Sequence, residues 1–239
     1  MNNFQDEVKA IIENQSTNTT LKKAADHFLD ESIKSKYSYS FSWMGRPIIQ
    51  YPQDMIAMQE IIWALKPDLI IETGIAHGGS LIFYASIMEL IGKGEIVGID
   101  IDIREHNRVE IEKHPMFKRI KMIQGSSIDA NIVAQVAKIA EGKETIIVCL
   151  DSNHTHDHVL RELELYNRFV TKNAYLVVFD TIVEDLPKGI YDRPWDVGNN
   201  PKTAVWEFLK KNDDFEIDKS IDSKLLISVA PEGYLKRVC

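Results

Sequence analysis

The fold is decided by the stretch Leu69-Ile70-Ile71-Glu72-Thr73-Gly74-Ile75-Ala76-His77-Gly78-Gly79-Ser80. It begins with an apolar, largely β-branched run, which is typical of a buried strand. The glycines that follow allow the backbone to come close to a ligand. From Ser80 to Ile91, apolar residues recur at intervals of three and four, so the turn opens a helix whose first N–H groups have no partner within the helix. This order of strand, glycine turn and helix is typical of the ligand-binding edge of an α/β sheet.

The spacing of the acidic residue and the glycines indicates the kind of ligand. A dinucleotide-binding turn has the pattern G-x-G-x-x-G, whereas here Glu72 precedes Gly74 and the next glycine is Gly78. We expect this turn to leave no room for a pyrophosphate and to suit a cationic ligand that carries an amino acid, such as S-adenosylmethionine. The alternative is a tight strand-to-helix turn without function. The cofactor contacts expected in this turn are Glu72, Gly74, Ala76, Gly78 and Ser80.

From Lys66 onward the chain alternates short apolar runs with longer amphipathic stretches, as repeated βαβ units do. Strands are predicted at 69–72, 95–100, 120–124, 145–150 and 175–179, with a final antiparallel pair at 215–217 and 225–229. Helices are predicted at 80–91, 131–140, 158–170 and 201–212. Together these elements predict an α/β fold, with a Rossmann-like, doubly wound sheet of seven strands in residues 53–239.

The first 52 residues predict a helical appendage. Residues 7–14 and 20–37 have helical patterns, whereas 39–52 is rich in aromatic residues, broken by proline and without periodicity. Two interpretations stay open for this segment. It caps the active site or builds an oligomer interface, or it is a helix pair packed on the sheet.

The charge and the cysteine content of the chain indicate which ligands and which compartment to expect. The net charge of −8 is spread along the chain, which disfavours a broad surface for nucleic acid or anionic lipid and favours small-molecule ligands. Two cysteines, Cys149 and Cys239, are too few for a disulfide framework, so we expect a reducing compartment, the cytoplasm. The first residues do not have a basic region followed by an apolar stretch, and no later run approaches the length of a membrane span, so we expect neither export nor membrane insertion.

Two further polar positions follow the next predicted strands. Asp100 ends the second strand, 28 residues after Glu72, where an acidic side chain accepts hydrogen bonds from ribose hydroxyls. Asp102 competes for that role. Ser127 lies in the turn after the third strand, where we expect contact with an adenine ring. The alternative is that Ser127 or Asp129 caps the following helix.

Two aspartates predict a metal site at the same edge of the sheet. Asp151 follows the fourth strand and Asp180 follows the fifth, and an unpaired carboxylate beside a buried strand is costly. A divalent cation between them removes that cost, and oxygen donors favour Mg²⁺ over zinc.

Three histidines lie within five residues of this loop, His154, His156 and His158. They invite a zinc interpretation, but neither a cysteine partner nor a His-Glu-x-x-His helix accompanies them. Because imidazole titrates near neutral pH, we favour a general base, His154 or His156, acting beside Asp151. The alternative is that these histidines cap the helix predicted from His158.

The chain resembles the cephalosporin hydroxylase family, whose members look like S-adenosylmethionine-dependent, metal-assisted O-methyltransferases. The resemblance is carried by Trp43-Met44-Gly45-Arg46-Pro47 with Gln50 and Asp54, by 72–80, by 150–158 and by 175–185. A more distant resemblance connects the chain to catechol O-methyltransferase. It implies cofactor contacts at Glu72, Gly74, Ser80, Asp100 and Ser127 and metal ligands at Asp151, Asp180 and Thr181. It also implies a base at His154, three residues after Asp151, where the catechol enzymes have a lysine. We also expect Asp151 to contact the cofactor.

The sequence departs from these patterns at two positions. Family members often have an acidic residue immediately before the aspartate of the fifth strand, where this chain has Phe179. Thr181 is also a poorer metal ligand than the asparagine of the catechol enzymes. Both departures predict weaker metal binding, or a shell completed by water and substrate oxygens.

We therefore expect methyl transfer to a hydroxyl of a small molecule or sugar by a homo-oligomer, with S-adenosylmethionine and Mg²⁺. The loop 183–200 is long enough for a lid, in which Tyr191 and Trp195 offer apolar walls, or it is a disordered surface loop. The alternatives are N-methylation and a non-catalytic nucleoside-binding or partner-binding protein. Oxygenase chemistry is disfavoured because no His-x-Asp…His iron pattern is evident.

Overall fold

The computed structural model describes residues 2–190 and 192–239. Two helices, α1 (Asn2–Thr17) and α2 (Thr19–Lys34), precede a short hairpin of β1 (Ser42–Trp43) and β2 (Arg46–Pro47). The elements that follow are α3 (Pro52–Leu65), β3 (Leu69–Thr73), α4 (Gly79–Ile91), β4 (Glu95–Asp100), α5 (Glu105–Glu112), β5 (Ile120–Gln124), α6 (Ala130–Ala140), β6 (Ile146–Leu150), α7 (His156–Tyr166), β7 (Tyr175–Val178), α8 (Pro201–Leu209), β8 (Phe215–Ile217), α9 (Lys219–Leu225) and β9 (Tyr234–Arg237).

The main sheet has seven strands in the order β5-β4-β3-β6-β7-β9-β8. The five strands from β5 to β7 pair in parallel, and β9 runs antiparallel to both of its neighbours. The chain winds outward from β3 to β5 and then returns to β6 beside β3, which places the topological switch point between β3 and β6. This confirms the predicted doubly wound α/β fold, and ligands of such sheets bind at that switch point.

The core forms because both faces of the parallel strands are covered. Every residue of β3 and β6 is buried, which is why these strands read as continuous apolar runs without alternation. Helix α4 is buried from Leu81 to Met88, because the sheet covers one side and the β1–β2 hairpin covers part of the other. Trp43 of the hairpin packs edge-on against Phe83 of α4, with ring centroids 4.9 Å apart.

The final strand differs from the sequence prediction. Phe215–Ile217 is a strand as predicted, but its partner is Tyr234–Arg237 and not 225–229. Leu225 ends α9, and Leu226 has a φ of +62°, which interrupts any strand there. Ser228 and Val229 instead donate hydrogen bonds to the buried carboxylate of Asp54. An apolar run of this length is ambiguous by periodicity alone, and only the tertiary partner decides its conformation.

Several helix limits also differ from the predicted ones. The helix predicted from 158 to 170 begins at His156, ends at Tyr166 and continues as a 3₁₀ turn to Phe169. The helix predicted from 201 to 212 ends at Leu209. Helices α3, α5 and α9 were not predicted. No helix among the described residues is long and apolar enough to cross a membrane.

Candidate active site

Four acidic side chains lie at the carboxyl ends of adjacent parallel strands. Glu72 belongs to β3 and Asp100 ends β4, while Asp151 and Asp180 follow β6 and β7. The backbone fixes their relative positions, because the Asp151 N–H donates to the Thr73 carbonyl at 2.8 Å. The four acidic residues predicted from the sequence therefore share one rim of the sheet.

The glycine turn lies directly against the loop that carries Asp151. A Cβ atom at Gly74, where φ is +92°, would lie 2.0 Å from the Asp151 carbonyl oxygen, so only glycine permits this approach. Gly78, with φ of +78°, precedes α4, and a Cβ there would collide with the Ile111 side chain at 2.3 Å. Gly74 therefore brings the turn next to the end of β6, and Gly78 brings the start of α4 next to α5.

Glu72 is a buried acid at the base of the turn, with 1% of its surface exposed. Its Oε2 accepts a hydrogen bond from the Ser80 hydroxyl at 2.7 Å, which brings two predicted cofactor contacts together. Among the described residues, its buried Oε1 has no hydrogen-bond partner. Burial raises the pKa of Glu72 to about 8, although the bonds from Ser80 and Tyr84 oppose that effect.

Asp100 organises the backbone of the turn. Its Oδ2 accepts hydrogen bonds from the N–H groups of Ile75 at 2.8 Å and Ala76 at 3.3 Å. Its Oδ1 accepts from the N–H of Asp102 at 3.0 Å. Asp102, the competing candidate for the ribose, is exposed. Asp100 therefore holds the glycine turn as well as standing at the position expected for ribose recognition.

Asp151, His154 and Asp180 form a compact cluster. One ligand atom from each of the three lies within 4.8 Å of the others, and His154 Nε2 is 3.2 Å from Asp180 Oδ2. Burial raises the pKa of Asp151 well above its ordinary range, and the neighbouring carboxylate of Asp180 adds to that effect. Asp180 has a φ of +55°, a left-handed conformation that aspartate tolerates better than most residues.

Thr181, the third predicted metal ligand, has a different partner. It is fully buried, and its hydroxyl donates to the Pro231 carbonyl at 2.7 Å. Phe179, where relatives often carry an acid, is 1% exposed and belongs to the core. Of the described residues, the protein ligands gathered at this point are thus two carboxylates and one imidazole.

The other two histidines of the loop face away from this cluster toward other elements. His156 opens α7, where its Nδ1 lies 2.8 Å from the Thr203 hydroxyl and its Nε2 lies 3.3 Å from Glu207 of α8. His158 Nε2 lies 3.1 Å from the Ser127 hydroxyl and 3.3 Å from that of Ser152. Of the two candidate bases, the structure brings only His154 to the aspartates.

Ser127 lies on the far side of the site, after β5, and is 5% exposed. Through His158 it is connected to Glu162, a fully buried acid of α7 whose Oε1 accepts from Ser152 at 2.7 Å. Glu162 is not among the site residues predicted from the sequence. The available signal was its position four residues after His158, which puts both side chains on one face of α7.

Trp195, in the segment that leads to α8, lies against the cluster. Trp195 packs edge-on against His154, with ring centroids 4.8 Å apart. The base of the segment is held by Asn200 and Gly198, both of which donate to the Glu184 carboxylate. Tyr191, the other predicted wall residue, lies outside the described residues. Trp195 therefore forms one side of the space next to the imidazole.

The residues present fit both a divalent cation and a cationic nucleoside. Asp151 and Asp180 supply the oxygen donors that Mg²⁺ prefers, and a cation relieves their mutual repulsion. Glu72 offers a buried carboxylate oxygen without a partner among the described residues, beside a turn that only glycine permits. A positively charged ligand at this turn would restore the ionised form of Glu72.

A seven-stranded sheet of this topology, with an acidic residue before its glycine turn, defines an S-adenosylmethionine-dependent methyltransferase. A family model described as "Rhamnosyl O-methyltransferase/CmcI" matches residues 35–238. The chain belongs to this family, which confirms the resemblance to the cephalosporin hydroxylase family.

Several known proteins are similar to this chain in sequence or in fold. The chain is 29% identical over 199 residues to the rhamnosyl O-methyltransferase of Mycobacterium leprae, covering 82% of each chain. It is 29% identical over 204 residues to that of Mycobacterium bovis, covering 82% of this chain and 78% of the other. The solved structure titled "cmcI-D160 Mg-SAM" has a TM-score of 0.58 at 18% identity, covering 84% and 78% of the two chains. SAH-bound PaMTH1 of Podospora anserina has a TM-score of 0.54 at 16% identity, covering 90% and 89%.

Proposed function

We propose that this protein transfers the methyl group of S-adenosylmethionine to a hydroxyl of a sugar or sugar-bearing small molecule, with Mg²⁺ at Asp151 and Asp180. The observation that carries the proposal is the meeting of Asp151, His154 and Asp180 beside the glycine turn. Relatives named rhamnosyl O-methyltransferases support a deoxysugar hydroxyl as the acceptor.

The methyl donor is assigned to the rim formed by Glu72, Asp100 and Ser127. Its ammonium and sulfonium charges suit the acidic turn, and the ribose hydroxyls suit a carboxylate at the end of β4. Ser80 holds Glu72 in place, and Asp100 holds the backbone of the turn. The site is thus organised before the donor binds, which lowers the entropy lost on binding.

The chemistry at the acceptor is assigned to the cluster on the other side of the rim. A bound Mg²⁺ would supply Lewis acidity to the acceptor hydroxyl. His154 takes the hydroxyl proton at Nδ1, and Asp180, whose Oδ2 lies 3.2 Å from Nε2, stabilises the imidazolium that results. The new O–C bond forms as the C–S bond breaks, so the positive charge of the sulfonium disappears and the leaving group is a neutral thioether.

Trp195 is assigned to the acceptor pocket. The half-buried indole lies next to His154, so an acceptor oxygen that reaches the imidazole brings its ring against this side chain. Indole faces are apolar and flat, which suits the C–H face of a deoxysugar.

The test is methyl transfer from S-adenosylmethionine to a rhamnoside, followed by mass spectrometry of the product with and without Mg²⁺. Wild-type protein is compared with Asp151→Asn and with the control Asp157→Asn, an exposed acid in the first turn of α7. We expect Mg²⁺-dependent product from the wild type and the control and none from Asp151→Asn. A wild-type protein that binds the nucleoside but methylates neither hydroxyls nor amines would instead support a non-catalytic binding protein.

We also propose that the protein works as a homo-oligomer in the cytoplasm. Its two cysteines, Cys149 and Cys239, are unpaired, which suits a reducing compartment. Exposed apolar side chains on α1 and α3, such as Ile11 and Trp63, support self-association. Light scattering on a size-exclusion column tests the assembly, and a monomer at every concentration would contradict it.

A further inference from the structure

We infer that Arg46, in the β1–β2 hairpin of the N-terminal segment, is a positioning residue that holds the glycine turn in the conformation that binds the methyl donor. This inference rests on the proposed binding of S-adenosylmethionine at that turn. Its basis is a set of contacts between the hairpin, the turn and α5.

Arg46 binds the turn through its whole guanidinium edge. Its Nε and Nη2 donate to the carbonyl oxygen of His77 at 3.0 and 2.6 Å, and Nη2 also donates to Asn107 Oδ1 at 3.1 Å. Asn107, which is 4% exposed, in turn donates from Nδ2 to the carbonyl oxygen of Ala76 at 2.9 Å. Two consecutive carbonyls of the turn are therefore held by the Arg46–Asn107 pair.

The turn needs this support because its conformation is unfavourable. Ala76 has a φ of +44°, in the left-handed region that residues with a Cβ rarely adopt, and its methyl group is exposed and makes no compensating core contact. Asp100 fixes the N–H groups of residues 75 and 76, and the Arg46–Asn107 pair fixes the carbonyls of 76 and 77. The strained residue is thus clamped from both sides.

The hairpin is anchored well enough to transmit this support. Trp43 Nε1 donates to the Ser86 hydroxyl of α4 at 3.0 Å. The Pro47 carbonyl lies so close to Gly79 that a Cβ there would be 2.1 Å from it. The N-terminal segment is therefore tied to α4 at Gly79 and at Ser86, and Arg46 extends that contact to the glycine turn itself.

A positioning role predicts a specific kinetic signature. Arg46 touches neither Asp151 nor His154 nor any other residue assigned to proton transfer. Its loss lets the turn relax before the donor binds, so affinity for the donor falls while chemistry in the bound complex continues. We expect the KM for S-adenosylmethionine to rise at least tenfold and kcat to change by less than about threefold.

The experiment measures calorimetric binding of S-adenosylhomocysteine, thermal unfolding and transfer kinetics on the full chain. The variants are Arg46→Ala, Arg46→Lys, and Arg46→Ala combined with Ala76→Gly. Arg161→Ala is the matched control, because Arg161 pairs with Glu164 on the exposed face of α7. Glycine adopts a positive φ without steric penalty, so it relieves the strain that Arg46 opposes.

We expect at least tenfold weaker binding in Arg46→Ala and unchanged binding in Arg161→Ala. Arg46→Lys keeps the charge but loses the pair of hydrogen bonds to the His77 carbonyl, so we expect it to weaken binding too. If Arg46→Ala fails to fold, binding by Arg46→Lys decides the test. The double variant, Arg46→Ala with Ala76→Gly, binds S-adenosylhomocysteine at least threefold more tightly than Arg46→Ala alone. Wild-type-like binding by both Arg46 variants overturns the inference, as does a loss that Ala76→Gly leaves unimproved. Failure of wild-type protein to bind the nucleoside contradicts the proposed function instead.

Discussion

The buried carboxyl of Glu72 makes the stability of the ligand-free protein depend on pH in a predictable direction. Its pKa rises from an ordinary value of 4.5 to about 8 in the folded protein, chiefly because the side chain is buried. Below pH 4.5, Glu72 is protonated in both the folded and the unfolded state, so no folding stability is lost. As the pH rises toward 8, the unfolded state releases the proton first, so folding stability falls across this window.

The size of the effect follows from the interval between the two pKa values. Each pH unit in that interval is worth about 1.4 kcal/mol, so the loss is about 3 kcal/mol at pH 7 and on the order of 5 kcal/mol above pH 8. Glu72→Gln keeps a side-chain oxygen for the Ser80 hydroxyl but has no proton to release. The variant is therefore expected to be several kcal/mol more stable than wild type at pH 8.5, and nearly equal to it at pH 5.

Urea unfolding at pH 5, 7 and 8.5, without nucleoside or divalent cation, measures this difference. The control is Glu141→Gln, which removes an exposed carboxylate at the end of α6. Its curve should follow that of wild type at each pH. If the gap between Glu72→Gln and wild type is constant from pH 5 to 8.5, the buried carboxyl does not titrate as described and the reasoning fails.

Three further predictions concern Asp151, the histidines that follow it, and Trp195. Asp151→Asn should abolish the rise in melting temperature that Mg²⁺ gives the wild type, as measured by differential scanning calorimetry. His154→Gln should lower kcat at least a hundredfold and leave the Kd for S-adenosylhomocysteine within twofold, whereas His156→Gln should leave kcat within about threefold. Trp195→Ala should raise the KM for the sugar acceptor and leave the KM for S-adenosylmethionine unchanged, and equal changes in both would argue against a role in the acceptor pocket.

The sequence was sufficient to predict the positions of the four acids because parallel strands end at one edge of a sheet. Each of Glu72, Asp100, Asp151 and Asp180 directly ends or follows an apolar, largely β-branched run that alternates with amphipathic stretches, as the strands of a parallel sheet do. The choice between histidines could not be made in the same way. His154 and His156 are two residues apart, and only the start of α7 decides which one faces Asp180 and which one faces Thr203.

Tertiary contacts also decided the elements that the sequence did not reveal. The run 225–229 has the apolar content of a strand, but Asp54, far away in the sequence, accepts its hydrogen bonds and keeps it irregular. Arg46 lies in a segment without periodicity, so no local pattern connects it with the turn 31 residues later. Such contacts follow from packing across the molecule and not from spacing along the chain.

The central claim is that acidic side chains on one rim of the sheet bind a cationic nucleoside and a divalent cation together. Its most direct test is isothermal titration calorimetry of S-adenosylmethionine into wild-type protein, with and without Mg²⁺, and into Asp151→Asn. We predict saturable binding of a single equivalent to the wild type, with Mg²⁺ binding detected separately in the wild type and lost in Asp151→Asn. Absence of heat on adding the nucleoside to folded wild-type protein, in the presence of Mg²⁺, would contradict it.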